Sequence, residues 1–212
     1  MVEKLLARQP AIIGFSVYIW NVVETTAVIQ LLKTVRPDIV VVLGGPEVSH
    51  LPDQPTVVED VDYVIKGPGE TSFRRLCERI LQGEAPEQRV IAGVPQALEE
   101  LNMPYAYYDD EDLRNRIIYV EASRGCPFKC EFCLSSLDKT AKTFTLDRFL
   151  EEMDRLYQQG ARNFKFIDRT FNLKVSHSTA ILQFFLDRMD ADNSCGLMVH
   201  FEVIPDRLPD AL

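Results

Sequence analysis

Apolar runs alternate with segments of helical spacing through the first third of the chain. "AIIGFSVYIW" (11–20) reads as a buried strand. Asn21 stands three residues ahead of Glu24, which predicts a capping box, and Val28, Leu31, Leu32 and Val35 then recur at i, i+3, i+4 and i+7 before Pro37 ends the helix. "DIVVVLGGPE" (38–47) is too continuously apolar for a sheet with one wet face, so both of its faces are expected to be covered. "VDYVIKG" (61–67) predicts a third strand, and Phe73, Leu76, Cys77 and Ile80 the inward face of a helix closed by Gly83. Strands separated by helices imply parallel pairing with right-handed crossovers. Residues 1–83 therefore read as part of a Rossmann-like, doubly wound sheet.

The periodicity fails over 84–116, which carries prolines, an acidic cluster and one candidate short strand, "RVIAG"; this stretch is expected to be a linker. Alternation resumes over 117–212. "RIIYVEAS" (116–123) predicts a strand, Thr145 a helix cap, Phe149, Met153, Leu156 and Tyr157 the buried face of that helix, and Gly160 its end. Strand "NFKFID" (163–168), a helix over 176–189 and strand "LMVHFEV" (197–203) follow. Tyr119, Glu121 and Ser123 share one strand face, and His200 and Glu202 share another, each opposite apolar neighbours. With helices outside, Glu121, His200 and Glu202 are expected to line a cavity. An eight-unit barrel needs roughly 200 to 250 residues and a doubly wound sheet five or more strands, so both halves are expected to be parts of larger domains.

Charge narrows the partners. A formal net charge of −9 over 212 residues argues against nucleic-acid binding by long-range attraction, and points to a small-molecule substrate. No apolar run is long enough to span a bilayer, and "MVEKLLARQP" lacks the core of a signal peptide, so a cytoplasmic protein is expected.

The chemistry concentrates in "RGCPFKCEFC" (124–133), where Cys126, Cys130 and Cys133 stand at i, i+4 and i+7. Thiolates are soft ligands for zinc or iron–sulfur clusters. Structural zinc takes four protein ligands, and no fourth cysteine or histidine lies nearby. Three ligands to a four-iron cluster leave one iron open for a substrate or cofactor. Pro127 stiffens the loop and Phe132 can shield it from water. In the first half, Gly44 and Gly45, and then Gly67 and Gly69, fall where strands end; they suit either close approach of a flat ligand or tight turns. A side chain at Gly45 is expected to block such an approach.

Cys126-x-x-x-Cys130-x-x-Cys133, with Phe132 before the last cysteine, resembles the signature of the radical S-adenosylmethionine (SAM) superfamily. "EASRGCPFKCEFC" is similar in particular to members with an N-terminal cobalamin-binding domain. Ser16 in "GFSVY" and Gly44-Gly45 in "VVVLGGPE" match that domain's serine and glycine pair, and "VIKGPGE" resembles its last strand and turn. The resemblance implies a partial Rossmann-like cobalamin-binding sheet over 1–83, followed by the first part of a radical SAM (β/α) barrel over 117–212. It implies a 4Fe-4S cluster on Cys126, Cys130 and Cys133, SAM contacts from Phe132, Asp168 and Glu202, and cobalamin contacts from Ser16, Gly44, Gly45 and Gly67. It further implies a one-electron donor such as a flavodoxin or ferredoxin. Reductive cleavage of SAM would then generate a substrate radical, with cobalamin used for methyl transfer or for ring and C–C bond chemistry. The alternative is an iron–sulfur electron carrier or a non-catalytic cluster-binding fragment. Two departures stand out: no Asp-x-His-x-x-Gly occurs to supply a histidine to cobalt, and "DRTFN" (168–172) replaces a glycine-rich SAM motif.

Overall fold

The computed structural model of the protein describes residues 1–50, 54–133, 140–191, 196–205 and 208. The chain divides into two compact units, Met1–Gln96 and Ala97–Leu212. Among the described residues no helix is long and apolar enough to cross a membrane.

In the first unit, β1 (Ile12–Ser16), β2 (Val40–Gly44), β3 (Tyr63–Lys66) and β4 (Val90–Ala92) form a parallel sheet in that order. β2 is buried on both faces, as its unbroken apolar run requires. Val41 and Leu43 pack with Ile29 and Leu32 of α2 (Val22–Val35), whereas Val42 packs on the other side with Tyr63, Ile65 and Leu76 of α4 (Glu70–Leu81). Two short helices, α1 (Val2–Leu6) and α3 (Pro46–Ser49), complete the unit.

Three expectations for this unit change. The buried stripe of α2 is Thr25, Ile29 and Leu32, while Leu31 and Val35 are each 53% exposed. Of the expected stripe only Leu32 is fully buried, because the sheet meets the helix along Thr25, Ile29 and Leu32. Asn21 occupies the N-cap position without capping; its side-chain oxygen accepts from the Tyr18 amide at 2.8 Å and its amide donates to the Ser16 carbonyl at 3.0 Å. An Asn amide can serve backbone on either side of it, and the turn between strand and helix outcompetes the helix end. The expected linker over 84–116 is divided between the units: "RVIAG" supplies β4, whose Val90, Ile91 and Ala92 pair with Val64, Ile65 and Lys66.

In the second unit, β5 (Ile118–Val120), β8 (Asn163–Phe166) and β9 (Met198–His200) form a parallel sheet in the order β5-β8-β9. β6 (Ser123–Arg124) and β7 (Lys142–Thr143) form a separate antiparallel pair. α5 (Asp110–Asn115) precedes β5 and opens with a complete capping box from Asp109 and Asp112. The predicted face of α6 (Leu146–Gln158) is the observed one, with Phe149, Met153, Leu156 and Tyr157 buried, although Thr145 makes no side-chain cap bond. α6 and α7 (Val175–Ala191) cover Ile118, Val120, Phe164 and Phe166. Phe166 is fully buried, with the rings of Phe149, Phe171 and Phe201 centred 5.7, 5.4 and 4.6 Å away; burial of one such side chain contributes roughly 1.5–3 kcal/mol. The apolar strand faces thus meet the helices. Tyr119, Lys165 and His200, adjacent in register, occupy the opposite face.

Candidate functional site

Each unit places chemistry at the carboxyl ends of its parallel strands. In the first, a cavity of about 670 Å³ opens there. Gly14, Val42 and Ile65 line its depth, and the four positions singled out from sequence, Ser16, Gly44, Gly45 and Gly67, all lie on its wall. The sheet's geometry brings them together: Ser16 and Gly44 are paired residues at the ends of β1 and β2, and Ser49 of α3 accepts a bond from the Gly67 amide at 3.1 Å.

The glycines have different reasons. Gly45 has φ +100°, and a Cβ there would lie 2.6 Å from the Val17 carbonyl oxygen and 2.7 Å from its nitrogen. A side chain at Gly45, on the cavity wall, would therefore collide with backbone as well. Gly44, Gly67 and Gly69 face open space or ordinary contact. Gly14, in the middle of β1, was not read as a site residue; a Cβ there would come within 3.1 Å of the Phe73 ring, which lines the cavity from α4. The available signal was a glycine inside an apolar strand. Glu70 of α4 also lines the cavity, as does Tyr18, whose ring stacks on Trp20 with centroids 4.6 Å apart and planes 11° from parallel. The result is an apolar, aromatic-sided recess with a glycine rim, a shape suited to a large flat ligand.

In the second unit the cysteine loop leaves β6. Gly125, at φ +89°, is the pivot; a Cβ there would fall 1.6 Å from the Thr140 carbonyl oxygen, so the loop's entry and exit touch at a point where a side chain cannot fit. Cys126 is buried, Cys133 half-buried and Cys130 exposed, with the Cys133 amide donating to the Cys130 carbonyl at 3.0 Å. Among the described residues no three His, Cys, Asp or Glu side chains converge on one ion. A cuboidal iron–sulfur cluster takes each thiolate at a separate corner, so three thiols in one loop suit it better than a structural zinc ion, which takes four protein ligands.

The exit of β8 clamps this loop from below. Asp168 is 1% exposed, and its carboxylate accepts from the Ala122 amide at 3.0 Å and the Ser123 hydroxyl at 2.6 Å. Burial pushes its carboxyl up to about 6, against the opposing pull of those hydrogen bonds. Two residues on, the Thr170 hydroxyl lies 3.5 Å from the Cys126 sulfur. Phe171 and Asn172 then bind the chain beyond β9, through the Glu202 carbonyl at 2.8 Å and the Ile204 amide and carbonyl, both at 2.9 Å. "DRTFN" is thus one continuous brace. Of the residues expected to meet SAM, Phe132 is 94% exposed and Glu202 is exposed. Glu121, expected in the cavity, is held by a two-pronged ion pair with Arg124 at 3.0 and 2.8 Å.

Comparison with known proteins shows what the chain is similar to. Residues 1–77 match the B12 binding domain family. The uncharacterized methyltransferase PH0819 of Pyrococcus horikoshii is 29% identical over 208 residues, covering 85% of this chain and 44% of the relative. The cobalamin-dependent radical SAM methyltransferase TokK of Streptomyces tokunonensis is 27% identical over 208 residues, covering 81% of this chain and 30% of TokK. Among solved structures, the radical SAM methyltransferase TsrM from Kitasatospora setae, with tryptophan substrate and aza-SAM bound, superposes with a TM-score of 0.74 at 20% identity, over 99% of this chain and 47% of TsrM. The fold is that of a two-unit α/β protein of this type. The chain is a relative of the radical SAM enzymes that carry a cobalamin-binding domain, and it spans less than half the length of these relatives.

Proposed function

We propose that this chain supplies the corrinoid-binding and cluster-binding parts of a radical SAM enzyme acting on a small molecule, with a flavodoxin- or ferredoxin-like one-electron donor. The observation that carries the reading is the cysteine loop: three soft ligands within eight residues, leaving β6 just beyond the parallel strand β5, with the loop's entry held by hydrogen bonds from Asp168. Cys126, Cys130 and Cys133 would hold a 4Fe-4S cluster, and the recess rimmed by Ser16, Gly44, Gly45 and Gly67 would take a corrinoid. When bound, these groups would supply the reductive cleavage of SAM and the carriage of a methyl group, or ring and C–C bond chemistry.

The chain's own residues have distinct parts in this reading. Phe132 and Glu202, both open to solvent, would contact SAM beside the cluster, while Asp168 acts at the same site by holding Ala122 and Ser123 in place. Tyr18 and Phe73 would exclude water from the corrinoid's sides. β5, β8 and β9 with α6 and α7 are the opening units of a (β/α) barrel in this reading, and the face carrying Tyr119, Lys165 and His200 is its interior.

Anaerobic reconstitution with iron and sulfide tests the assignment. We expect about four irons per chain and visible charge-transfer absorption, lost together when Cys126, Cys130 or Cys133 is replaced by alanine and retained in Cys77→Ala. Cys77 is half-buried on α4, where burial pushes its thiol up, and it reads as packing. Stoichiometric zinc without iron, or equal iron in all four variants, would overturn the cluster assignment. Equilibrium dialysis with hydroxocobalamin checks the first unit separately.

A further inference from the structure

We infer that Thr170 is a positioning residue that sets the reduction potential of the centre held by Cys126, an inference that rests on the cluster reading above. Cys126 is 8% exposed and Thr170 3%, so their contact is sealed from water by the protein. With Oγ1 and Sγ 3.5 Å apart, either atom could donate while Cys126 is a thiol. A metal-bound cysteine has lost its proton. Only the hydroxyl can then donate, and the bond becomes a charge-assisted one to a thiolate in a dry, low-dielectric place.

Position leaves the hydroxyl little freedom. Thr170 lies four residues past the end of β8; Asp168 ties the near side of that segment to Ala122 and Ser123, and the Phe171 amide ties the far side to the Glu202 carbonyl at 2.8 Å. Its χ1 is also restricted by β-branching. The donor is therefore held at the sulfur by the same brace that holds the loop's entry, and needs no rearrangement when a metal centre forms. Cys130 and Cys133 are more open to solvent, so Cys126 is the ligand at which a fixed dipole counts most.

A donor on a ligand sulfur stabilises the more negative, reduced state of a cluster, which raises its potential. The test compares wild type, Thr170→Val and Thr170→Ser, each anaerobically reconstituted and titrated against redox dyes with the reduced state read by electron paramagnetic resonance. We expect Thr170→Val to lower the ratio of reduced to oxidised cluster about tenfold at fixed poise, equal to a shift of about 59 mV for one electron, and Thr170→Ser to stay near wild type. A second reading needs no variant: in the wild-type protein, exchange into D₂O should shift an iron–thiolate stretching band in the resonance Raman spectrum. Iron-loaded variants with one common potential, or a serine variant displaced as far as valine, would overturn the role of Thr170 while leaving the cluster in place. An unmoved Raman band would do the same. Wild-type protein that takes up no iron would overturn both readings.

Discussion

Replacing Gly45 by alanine should destabilise the first unit rather than merely reshape its cavity. The backbone sits at φ +100°, ψ 173°, a region that costs a residue with a side chain of order 1–3 kcal/mol. The added Cβ would lie 2.6 and 2.7 Å from the Val17 oxygen and nitrogen, well inside contact, so the turns after β1 and β2 must part. Those turns are joined by the Val17 amide to the Gly44 carbonyl at 2.8 Å and the Glu47 amide to the Val17 carbonyl at 3.3 Å, each worth about 1 kcal/mol. Strain and lost bonds together give a destabilisation of about 3–5 kcal/mol, a large share of a typical domain's stability. Gly69 provides the control: it lines the same cavity, its φ is −98°, and no atom lies within 4 Å of its would-be Cβ. Gly69→Ala should stay within about 1 kcal/mol of wild type. Gly69→Phe should keep the melting midpoint yet weaken hydroxocobalamin uptake tenfold or more, equivalent to about 1.4 kcal/mol. Urea melts followed by circular dichroism, and by the single tryptophan, Trp20, report the stability directly. A Gly45→Ala midpoint equal to wild type would refute the clash, and unchanged corrinoid binding in Gly69→Phe would refute the placement of the ligand.

The other predictions concern single contacts. Because Asp168 rises from the usual carboxylate range to about 6 in the fold, the folded protein keeps a proton that the unfolded chain releases; this contribution to stability is complete below about pH 4 and is lost as pH rises through 6. It amounts to about 3 kcal/mol, and Asp168→Asn should remove that slope from the pH dependence of the urea midpoint. Asn21→Ala should free the Tyr18 amide and the Ser16 carbonyl, costing about 1–2 kcal/mol and raising amide exchange over 16–18 with α2 retained, since Asn21 does not cap that helix.

Spacing carried much of the site. Three cysteines within eight residues announce soft-metal chemistry in any fold, and the Gly44-Gly45 pair marks a strand end wherever the sheet lies. The inward faces of α6 were legible for a similar reason, because Phe149, Met153, Leu156 and Tyr157 satisfy one helical stripe and no other. α2 was ambiguous, since Leu31 and Val35 are as apolar as the residues the sheet selects. Asn21 and Thr170 were beyond reach of sequence for another reason: a short polar side chain next to a turn has several partners in range, and which one it takes depends on strands distant in the chain. β4 was legible only as a candidate short strand within an expected linker, because three residues give period-two alternation too little length to register.

The pivot at Gly125 bears on how the cysteine loop is assembled. Fourteen residues separate Gly125 from Thr140, yet the backbone is already in contact there, and Ser123 and Arg124 pair with Thr143 and Lys142 just outside it. The contacts that join the ends of the loop are made by the polypeptide alone, so the conformational entropy of joining them is expected to belong to folding of the chain. In a zinc finger, by contrast, metal capture and chain closure are one event. Iron uptake here should behave as the filling of a mouth already formed: demetallation should leave the β6–β7 pairing protected from amide exchange, and the rate of iron loading should be insensitive to mild denaturant.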